Sequence, residues 1–132
     1  MYNKIKILIA DDASSMRHLI KGALIKAGFS QFDEAENGQV VMKKLNEDQF
    51  HLVVCDWDMP VMDGLEVLRD MRASESLYNI PFILVTATSD ANKVVSAIQQ
   101  GVDDYVIKPL KPNDFIQRVT EVLKRSKLSF QA

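Results

Sequence analysis

Cysteine is nearly missing from this chain, since Cys55 is the only one among 132 residues. A single thiol excludes an intrachain disulfide and a cluster of thiolate metal ligands, and it fits a reducing compartment. Long apolar runs are missing as well. The N-terminal stretch MYNKIKILIA meets charge too early for a secretory signal, and no run approaches the length of a membrane span. We therefore expect a cytoplasmic protein that does not enter a membrane.

An excess of charge of either sign is also lacking. With 16 basic and 18 acidic residues, the formal net charge is −2, which gives no reason to expect nucleic acid or an anionic membrane as partner. Internal repeats and low-complexity segments are missing, and no linker precedes about Ser126. The 47% hydrophobic content is that of one globular domain. We expect one domain over 1–132, with its core in about 5–125 and a short tail at 126–132.

Short apolar runs alternate with helix-period segments along the chain. The runs, which we predict as strands, span 5–10, 32–36, 52–55, 82–85 and 105–107. Helix signals follow each of them. They are Ser14 as N-cap and Gly28 as stop of the first helix, Val41 and Leu45 in the second, the capping-box pair Asp63 and Glu66 in the third, Val94, Val95 and Ile98 in the fourth, and Pro112 opening the fifth. This alternation predicts an α/β, doubly wound fold, a parallel sheet with helices on both faces.

Polar side chains follow four of the predicted strands. They are Asp11 and Asp12 after the first, Asp56 after the third, Thr86 after the fourth, and Lys108 with Pro109 after the fifth. In doubly wound sheets the ligand site lies beyond the carboxyl ends of the strands. Carboxylates gathered there repel one another, so the cluster predicts a hard cation, most simply Mg²⁺. A cation beside a lysine and a hydroxyl group is typical of sites that bind or transfer a phosphoryl group.

These motifs, in this order, resemble those of response-regulator receiver domains. The matching pieces are the pair Asp11-Asp12, DWDMPVMDG around Asp56, Thr86 in VTA, and Lys108-Pro109 in YVIKP. The longer stretch DWDMPVMDGLEVL is especially similar to stand-alone chemotaxis regulators of the CheY type. The resemblance extends from residue 6 to about residue 123. It implies a flavodoxin-like (βα)5 fold with a five-stranded parallel sheet in the order 2-1-3-4-5.

The resemblance implies how the acidic residues act. Asp56 would be the phosphoacceptor, which takes a phosphoryl group from a phosphohistidine of a sensor histidine kinase or phosphotransfer protein, or from a small phosphodonor. Asp12, Asp56 and the backbone carbonyl of Asp58 would bind Mg²⁺, for which Mn²⁺ could substitute. Asp11 would contribute to the metal site mostly through water.

The resemblance also implies how the other site residues act. Lys108 would pair with Asp56 before transfer and with a phosphoryl oxygen afterwards. Thr86 would turn inward to the phosphoryl group, and Tyr105 would follow into the vacated space. The bond between Lys108 and Pro109 would be cis.

The implied function is a phosphorylation-activated switch of a two-component system, with chemotaxis as one candidate setting. Phosphorylation would change the face formed by helix 4, strand 5 and helix 5, which a downstream protein reads. A phosphatase is a further candidate partner. The protein would not be a turnover enzyme, although it would support its own phosphorylation and slow dephosphorylation. We expect a monomer or weak dimer.

Two departures from the family pattern bear on this expectation. Asp58 stands where chemotaxis regulators often carry asparagine, and Thr88 lies two residues after Thr86. Our hypothesis is that Asp58 and Thr88 border the mouth of the site and modulate its rates. The second departure is an acidic partner face, because it carries Asp90, Asp103 and Asp104. That acidity argues against a typical flagellar-motor-binding surface.

Two alternatives stay open at this stage. The chain could be the N-terminal receiver of a longer regulator with an output domain. Alternatively, Asp56-Trp57-Asp58 is also the DxD signature of Mg²⁺-dependent phosphatases with an aspartate nucleophile, in which Asp58 would be the general acid and base. Chain order is unfavourable for the phosphatase, because such enzymes resemble one another in carrying DxD on the first strand and the acid pair last.

Overall fold

Five strands and five helices alternate in the computed structural model, which describes residues 2–87 and 89–126. The strands are β1 (Lys6–Ala10), β2 (Gln31–Ala35), β3 (Leu52–Asp56), β4 (Phe82–Thr86) and β5 (Asp104–Ile107). The helices are α1 (Ser14–Lys26), α2 (Gly38–Glu47), α3 (Gly64–Arg72), α4 (Ala91–Gln99) and α5 (Pro112–Arg125). Each predicted strand is confirmed to within one residue at either end. Thr88 and most of the predicted tail, residues 127–132, lie outside the described residues.

The strands form one parallel sheet in the order β2-β1-β3-β4-β5, which confirms the predicted topology. From β1 the chain first moves outward to β2 and then returns to pair β3 on the other side of β1. The strand order therefore reverses between β1 and β3, and loops leaving these two strands diverge to opposite faces. A crevice at the carboxyl end of the sheet results at this point.

Apolar side chains cover both faces of the sheet, as the unbroken hydrophobic runs predict. All residues of β3 and β4 are buried. Successive residues point to opposite faces, so Val53 and Cys55 join a cluster with α2, α3 and α4, while Leu52 and Val54 join one with α1 and α5. In the described part of the chain, no helix combines the length and apolar character needed to cross a bilayer.

Helix ends follow the sequence signals with one exception. The Asp63 carboxylate accepts from the Glu66 N–H at 2.9 Å while Glu66 accepts from the Asp63 N–H at 3.2 Å, which confirms the capping box. Gly28 has φ +108° just after α1, in the left-handed region that glycine tolerates. The prediction for Ser14 is wrong, because the N-cap of α1 is Ala13. There the Asp11 carboxylate accepts the Ala13 N–H at 2.9 Å, so the acceptor comes from the strand end.

Arg72, the last residue of α3, connects the end of this helix to two loops. Its guanidinium donates to three backbone carbonyls and one carboxylate at 2.8–3.0 Å. These acceptors belong to Tyr78, Ile80, Gly101 and Asp103. Because Asp103 also accepts from the N–H of Phe82 at 2.7 Å, the arginine joins α3 to the segments that begin β4 and precede β5.

Replacing Arg72 with methionine is expected to lower the free energy of unfolding by about 1–3 kcal/mol, since four acceptors, among them the carbonyl of the buried Ile80, lose a charged donor. Arg69 lies on the same helix but is exposed, and Arg69→Met is expected to change stability by no more than about 0.5 kcal/mol. Urea unfolding of both variants measures the difference. Equal losses in the two variants would contradict a specific role for Arg72.

Candidate functional site

Three carboxylates meet at the crevice between β1 and β3. Side-chain oxygens of Asp11, Asp12 and Asp56 lie within 4.8 Å of one another. Asp11 and Asp56 are only 1% and 5% exposed, whereas Asp12 is exposed. Because β3 extends one residue further than predicted, Asp56 is the last residue of the central strand and is held by the sheet itself. The cluster is thus rigid at its base and open to solvent at Asp12.

Asp11 is held by hydrogen bonds to its neighbours. Its backbone N–H donates to the carbonyl of Ala35 at 3.0 Å, and its carboxylate accepts from the N–H of Ala13 at 2.9 Å. The Nζ of Lys108 lies 3.4 Å from the same carboxylate. This carboxylate therefore has partners within the protein, and Asp12 is the member of the pair that faces outward.

Lys108 is the cation that the fold brings to the cluster. Its Nζ lies 3.3 Å from Asp56 and 3.4 Å from Asp11. The backbone N–H of Lys108 donates to the carbonyl of Thr86 at 2.7 Å, so the end of β4 fixes where the lysine leaves β5. The Lys108–Pro109 peptide bond is cis.

One ammonium does not neutralise this cluster. Burial, with the Asp11 charge second, raises the pKa of Asp56 from 3.8 to about 6, against the opposing effects of Lys108 and a hydrogen bond from the Asp58 backbone. Burial also acts to lower the pKa of Lys108, but the charges of Asp56 and Asp11 outweigh it, so that this pKa is raised. The shift of Asp56 is thus mainly an effect of burial, whereas the shift of Lys108 comes from the two carboxylates beside it.

The acidic cluster fits a divalent cation. Its donors are hard carboxylate oxygens, two of them buried, and they carry more charge than Lys108 neutralises. Such donors favour Mg²⁺, Mn²⁺ or Ca²⁺ over softer metals. The open side at Asp12 leaves room for water and for a ligand that shares the cation. The predicted convergence of Asp11, Asp12 and Asp56 is thus seen in the structure.

Thr86 and Tyr105 lie on the neighbouring strands. Thr86 is the last residue of β4 and is buried, one position beyond Val85, which pairs with Asp56 across the sheet. Tyr105 pairs with Leu84 and is partly buried against the hydrophobic core cluster on the α3 and α4 side of the sheet. Thr86 therefore lies at the end of the strand beside that of Asp56, whereas Tyr105 lies within β5, one strand further away. The switching roles of both residues stay predictions.

Asp58 is exposed on the loop that leaves β3. Its backbone acts to lower the pKa of the Asp56 carboxyl, so this loop lies beside the acceptor. The carbonyl of Asp58 as a metal ligand and its side chain as a rate modulator stay predictions. Thr88, its predicted companion, lies outside the described residues.

Two residues at the site were missed by sequence reasoning. Gly64 donates its N–H to the carbonyl of Trp57 at 2.8 Å, and a Cβ at this position would overlap the carbonyl oxygen of Asp56. A glycine directly after the helix cap Asp63, where a helix former is favoured, was the available signal. Arg17, whose guanidinium contacts the backbone of Asp11, carried no local signal.

The predicted partner face is less acidic than its sequence indicates. Asp103 pairs with Arg72 at 2.9 Å and Asp104 pairs with Arg118 at 3.0 Å, so two of the three predicted acidic residues are neutralised. Asp90 is the N-cap of α4. Large apolar side chains are exposed on the same face. They are Val95, Ile98 and Ile107.

The geometry of the site agrees with a family match that covers most of the chain. The sequence model of the response regulator receiver domain matches residues 7–120. The chain belongs to this family. In this receiver domain the match includes every site residue from Asp11 to Pro109, and the predicted family resemblance is confirmed.

The receiver domain is similar to curated chemotaxis proteins. It is 38% identical over 120 residues to the chemotaxis protein CheY of Pseudomonas aeruginosa, covering 91% of this chain and 97% of that protein. It is 35% identical over 120 residues to the chemotaxis protein CheY-3 of Vibrio cholerae, covering 91% and 92%.

Solved receiver domains share the fold. The signal receiver domain of a signal transduction histidine kinase from Syntrophus aciditrophicus superimposes with a TM-score of 0.85 and 30% identity, covering 96% of each chain. The receiver domain of a Francisella response regulator superimposes with a TM-score of 0.85 and 29% identity, covering 94% of this chain and all of that one. The flavodoxin-like fold is therefore confirmed.

Family membership leaves the phosphatase interpretation without support. In this receiver domain Asp56-Trp57-Asp58 begins at the last residue of the third strand along the chain, and the acid pair follows the first strand. That is the order found in the family's motifs and not the order expected for the phosphatases. Receiver domains act as signalling switches and not as turnover enzymes.

Proposed function

We propose that this receiver domain is a phosphorylation-activated switch in which Asp56 accepts a phosphoryl group from the phosphohistidine of a sensor histidine kinase or phosphotransfer protein. The observation that carries the proposal is the setting of Asp56. Its buried carboxylate ends the central strand, 3.3 Å from Lys108 and within 4.8 Å of the oxygens of Asp11 and Asp12. An acceptor, an ammonium and a cation site therefore share one crevice.

The transfer step is a displacement at phosphorus. A carboxylate oxygen of Asp56 forms the new P–O bond while the bond from phosphorus to the histidine nitrogen breaks, and the electron pair leaves with the imidazole. Because the pKa of Asp56 is about 6, most of the carboxylate is ionised at neutral pH and ready to attack. The ammonium of Lys108 exchanges its contact with Asp56 for one with a phosphoryl oxygen.

Asp12 and Asp56 would hold Mg²⁺, with the carbonyl of Asp58 as a further ligand and Asp11 acting through water. Mn²⁺ would substitute for it. When bound, the cation neutralises charge on the phosphoryl oxygens and so favours transfer. The excess of carboxylate over ammonium charge supports this assignment, since the cluster is balanced only when a cation is added.

The adduct acts as a switch because it adds charge. Phosphorylation puts about two negative charges where there was one and adds acceptor oxygens. The hydroxyl of Thr86 turns toward them and Tyr105 moves inward after it. The change reaches α4, β5 and α5, where Val95, Ile98 and Ile107 are exposed for a downstream protein.

The proposal also includes the pathway and the cellular location in which the switch acts. Similarity to two proteins named chemotaxis proteins supports chemotaxis as the pathway. We place the protein in the cytoplasm as one receiver domain, monomeric or weakly dimeric, and a phosphatase that shortens the life of the adduct is a further partner.

The test is to incubate the protein with Mg²⁺ and acetyl phosphate and to count phosphoryl groups by intact mass. Borohydride reduction then converts the acyl phosphate into a stable mark, and peptide mapping locates it. We expect one acid-stable, base-labile adduct, on Asp56, whose formation is prevented by EDTA. An adduct on another residue, or none at all, would overturn the proposal.

Asp58→Asn is expected to weaken Mg²⁺ binding by about two- to fivefold, because an exposed negative charge beside the site is removed and such charges act through solvent. Asp70→Asn removes an equally charged, exposed carboxylate from α3 and is expected to leave binding unchanged. Calorimetric titration measures the affinity, and the decay of the trapped adduct measures the effect on phosphoryl lifetime. Unchanged affinity and lifetime in Asp58→Asn would remove its proposed role.

A further inference from the structure

Arg17 joins helix α1 to the backbone of the acidic cluster. Its Nη1 donates to the backbone carbonyl of Asp11 at 2.6 Å, and its Nε donates to the Glu34 carboxylate at 2.9 Å. The side chain of Arg17 is 17% exposed, so both bonds are partly shielded from water. A charged donor in such a place binds a carbonyl more strongly than a neutral one. The guanidinium therefore fixes this carbonyl against a residue of β2.

The carbonyl that Arg17 holds belongs to the peptide unit between Asp11 and Asp12. The N–H of Asp11 is already bound to Ala35 and its carboxylate to Ala13 and Lys108. Because a peptide unit is planar, fixing its carbonyl also fixes the nitrogen of Asp12. The same planar unit also places the Cα of Asp12, from which its exposed side chain leaves the backbone.

Glu34 holds Arg17 in place and allows a matched control. It lies on β2 opposite Ile9, so its backbone is fixed by the sheet. Lys21 also approaches the Glu34 carboxylate, at 3.8 Å. Lys21 and Arg17 thus carry the same charge and approach the same carboxylate. Arg17 makes a second hydrogen bond, to the carbonyl of Asp11, and this bond distinguishes it from Lys21.

We propose that Arg17 is a positioning residue for the divalent cation, which acts through the Asp11 carbonyl to keep the carboxylate of Asp12 turned toward Asp56. This inference rests on the proposed function, since the cation is the one that the cluster would hold. Charge alone predicts the opposite effect. A guanidinium near a cation site repels the cation, so its removal would tighten binding, whereas the loss of a positioning contact weakens binding.

The experiment is a calorimetric Mg²⁺ titration of the full chain and of Arg17→Met, Arg17→Lys and Lys21→Met. We expect Arg17→Met to bind Mg²⁺ about tenfold more weakly, the size found when a residue that orients a metal ligand is lost. Arg17→Lys keeps the charge but not the two-pronged donor, and it is expected to bind nearly as weakly. Lys21→Met is expected to bind as the wild type does, or slightly more tightly.

Phosphorylation gives a second readout, which a general loss of stability would not imitate. In Arg17→Met the initial rate of adduct formation from acetyl phosphate is expected to fall at low Mg²⁺ and to recover at saturating Mg²⁺. If Arg17→Met does not fold, Arg17→Lys carries the same test.

Wild-type affinity in Arg17→Met or Arg17→Lys, or tighter binding in the methionine variant, would overturn the role of Arg17 while leaving the proposed function intact. Failure of the wild type to bind Mg²⁺ would overturn both proposals. A rate in Arg17→Met that stays low at saturating Mg²⁺ would also overturn the positioning role, because the defect would then lie outside cation binding.

Discussion

Asp56→Asn is expected to lose the phosphoryl adduct completely and, in the absence of Mg²⁺, to be more stable than the wild type. The first effect follows because an amide is a far poorer nucleophile than a carboxylate. The second follows from the raised pKa of Asp56, about 6, which shows that the folded state disfavours the ionised carboxylate. Asparagine keeps the shape of the side chain and removes the charge.

The pH dependence has a definite sign. Because the pKa of Asp56 is higher in the folded than in the unfolded state, the folded state binds more protons between about pH 4 and pH 6, and the free energy of unfolding falls as pH rises through this range. Above about pH 6 the loss of unfolding free energy that Asp56 causes no longer changes with pH. A shift of about two units corresponds to at most about 3 kcal/mol, so we expect Asp56→Asn to gain about 1–3 kcal/mol at pH 7.

Urea unfolding in EDTA at pH 4.5 and pH 7 measures both quantities. The gain in stability of Asp56→Asn over the wild type should be small at the lower pH and larger at the higher pH. Added Mg²⁺ should stabilise the wild type more than the variant, because it binds the folded state. Asp70→Asn, on the surface of α3, is the control and should behave as the wild type. A variant that is less stable than the wild type at pH 7 in EDTA would contradict the assigned electrostatics.

Gly64→Ala is expected to lower the free energy of unfolding by at least about 3 kcal/mol. The added Cβ would overlap the carbonyl oxygen of Asp56, and the Asp56 carbonyl carbon and a methyl of Leu84 would each lie 3.1 Å away. These obstacles include strand backbone, which cannot turn aside as a flexible side chain can. The start of α3 would have to move away from the end of β3, so adduct formation on Asp56 should slow as well.

The matched control is the same substitution at Gly22, an exposed position inside α1 where an added Cβ meets nothing within 4 Å. Here alanine restricts the unfolded chain and favours helix, so Gly22→Ala is expected to gain about 0.5–1 kcal/mol. Urea unfolding compares the two variants, and acetyl phosphate labelling compares their rates. If both variants had wild-type stability, the close packing of α3 against β3 would be wrong.

The elements that sequence predicted well depend on local patterns. Buried parallel strands need apolar residues on both faces, so runs such as 82–85 stand out against the 3.6-residue period of the helices. The edge position of Asp56, Thr86 and Lys108 then follows from the topology of alternating strands and helices. Only the order of the strands and helices along the chain was needed to place these three residues at one edge of the sheet.

Other features depend on partners distant in sequence. The fourth helix was predicted from Val94, Val95 and Ile98, yet α4 buries Ala97 and exposes Val95 and Ile98. An apolar period indicates a helix but not which of its residues the sheet covers. Likewise the acidity of Asp103 and Asp104 was overestimated, because their arginine partners lie 31 and 14 residues away.

The sequence by itself determined the strand and helix order, the family and the residues at the carboxyl edge of the sheet. The element order and the edge residues are consequences of local periodicity and of one topological rule, and the family follows from the resemblance of the motifs. Only the tertiary structure decided that Lys108 lies between Asp11 and Asp56, that Gly64 leaves room for the Asp56 carbonyl, and that Arg17 holds the peptide between the two acids. Contacts of this kind depend on distances of a few ångströms between separate elements, which are set by packing and carry no signature in the local sequence.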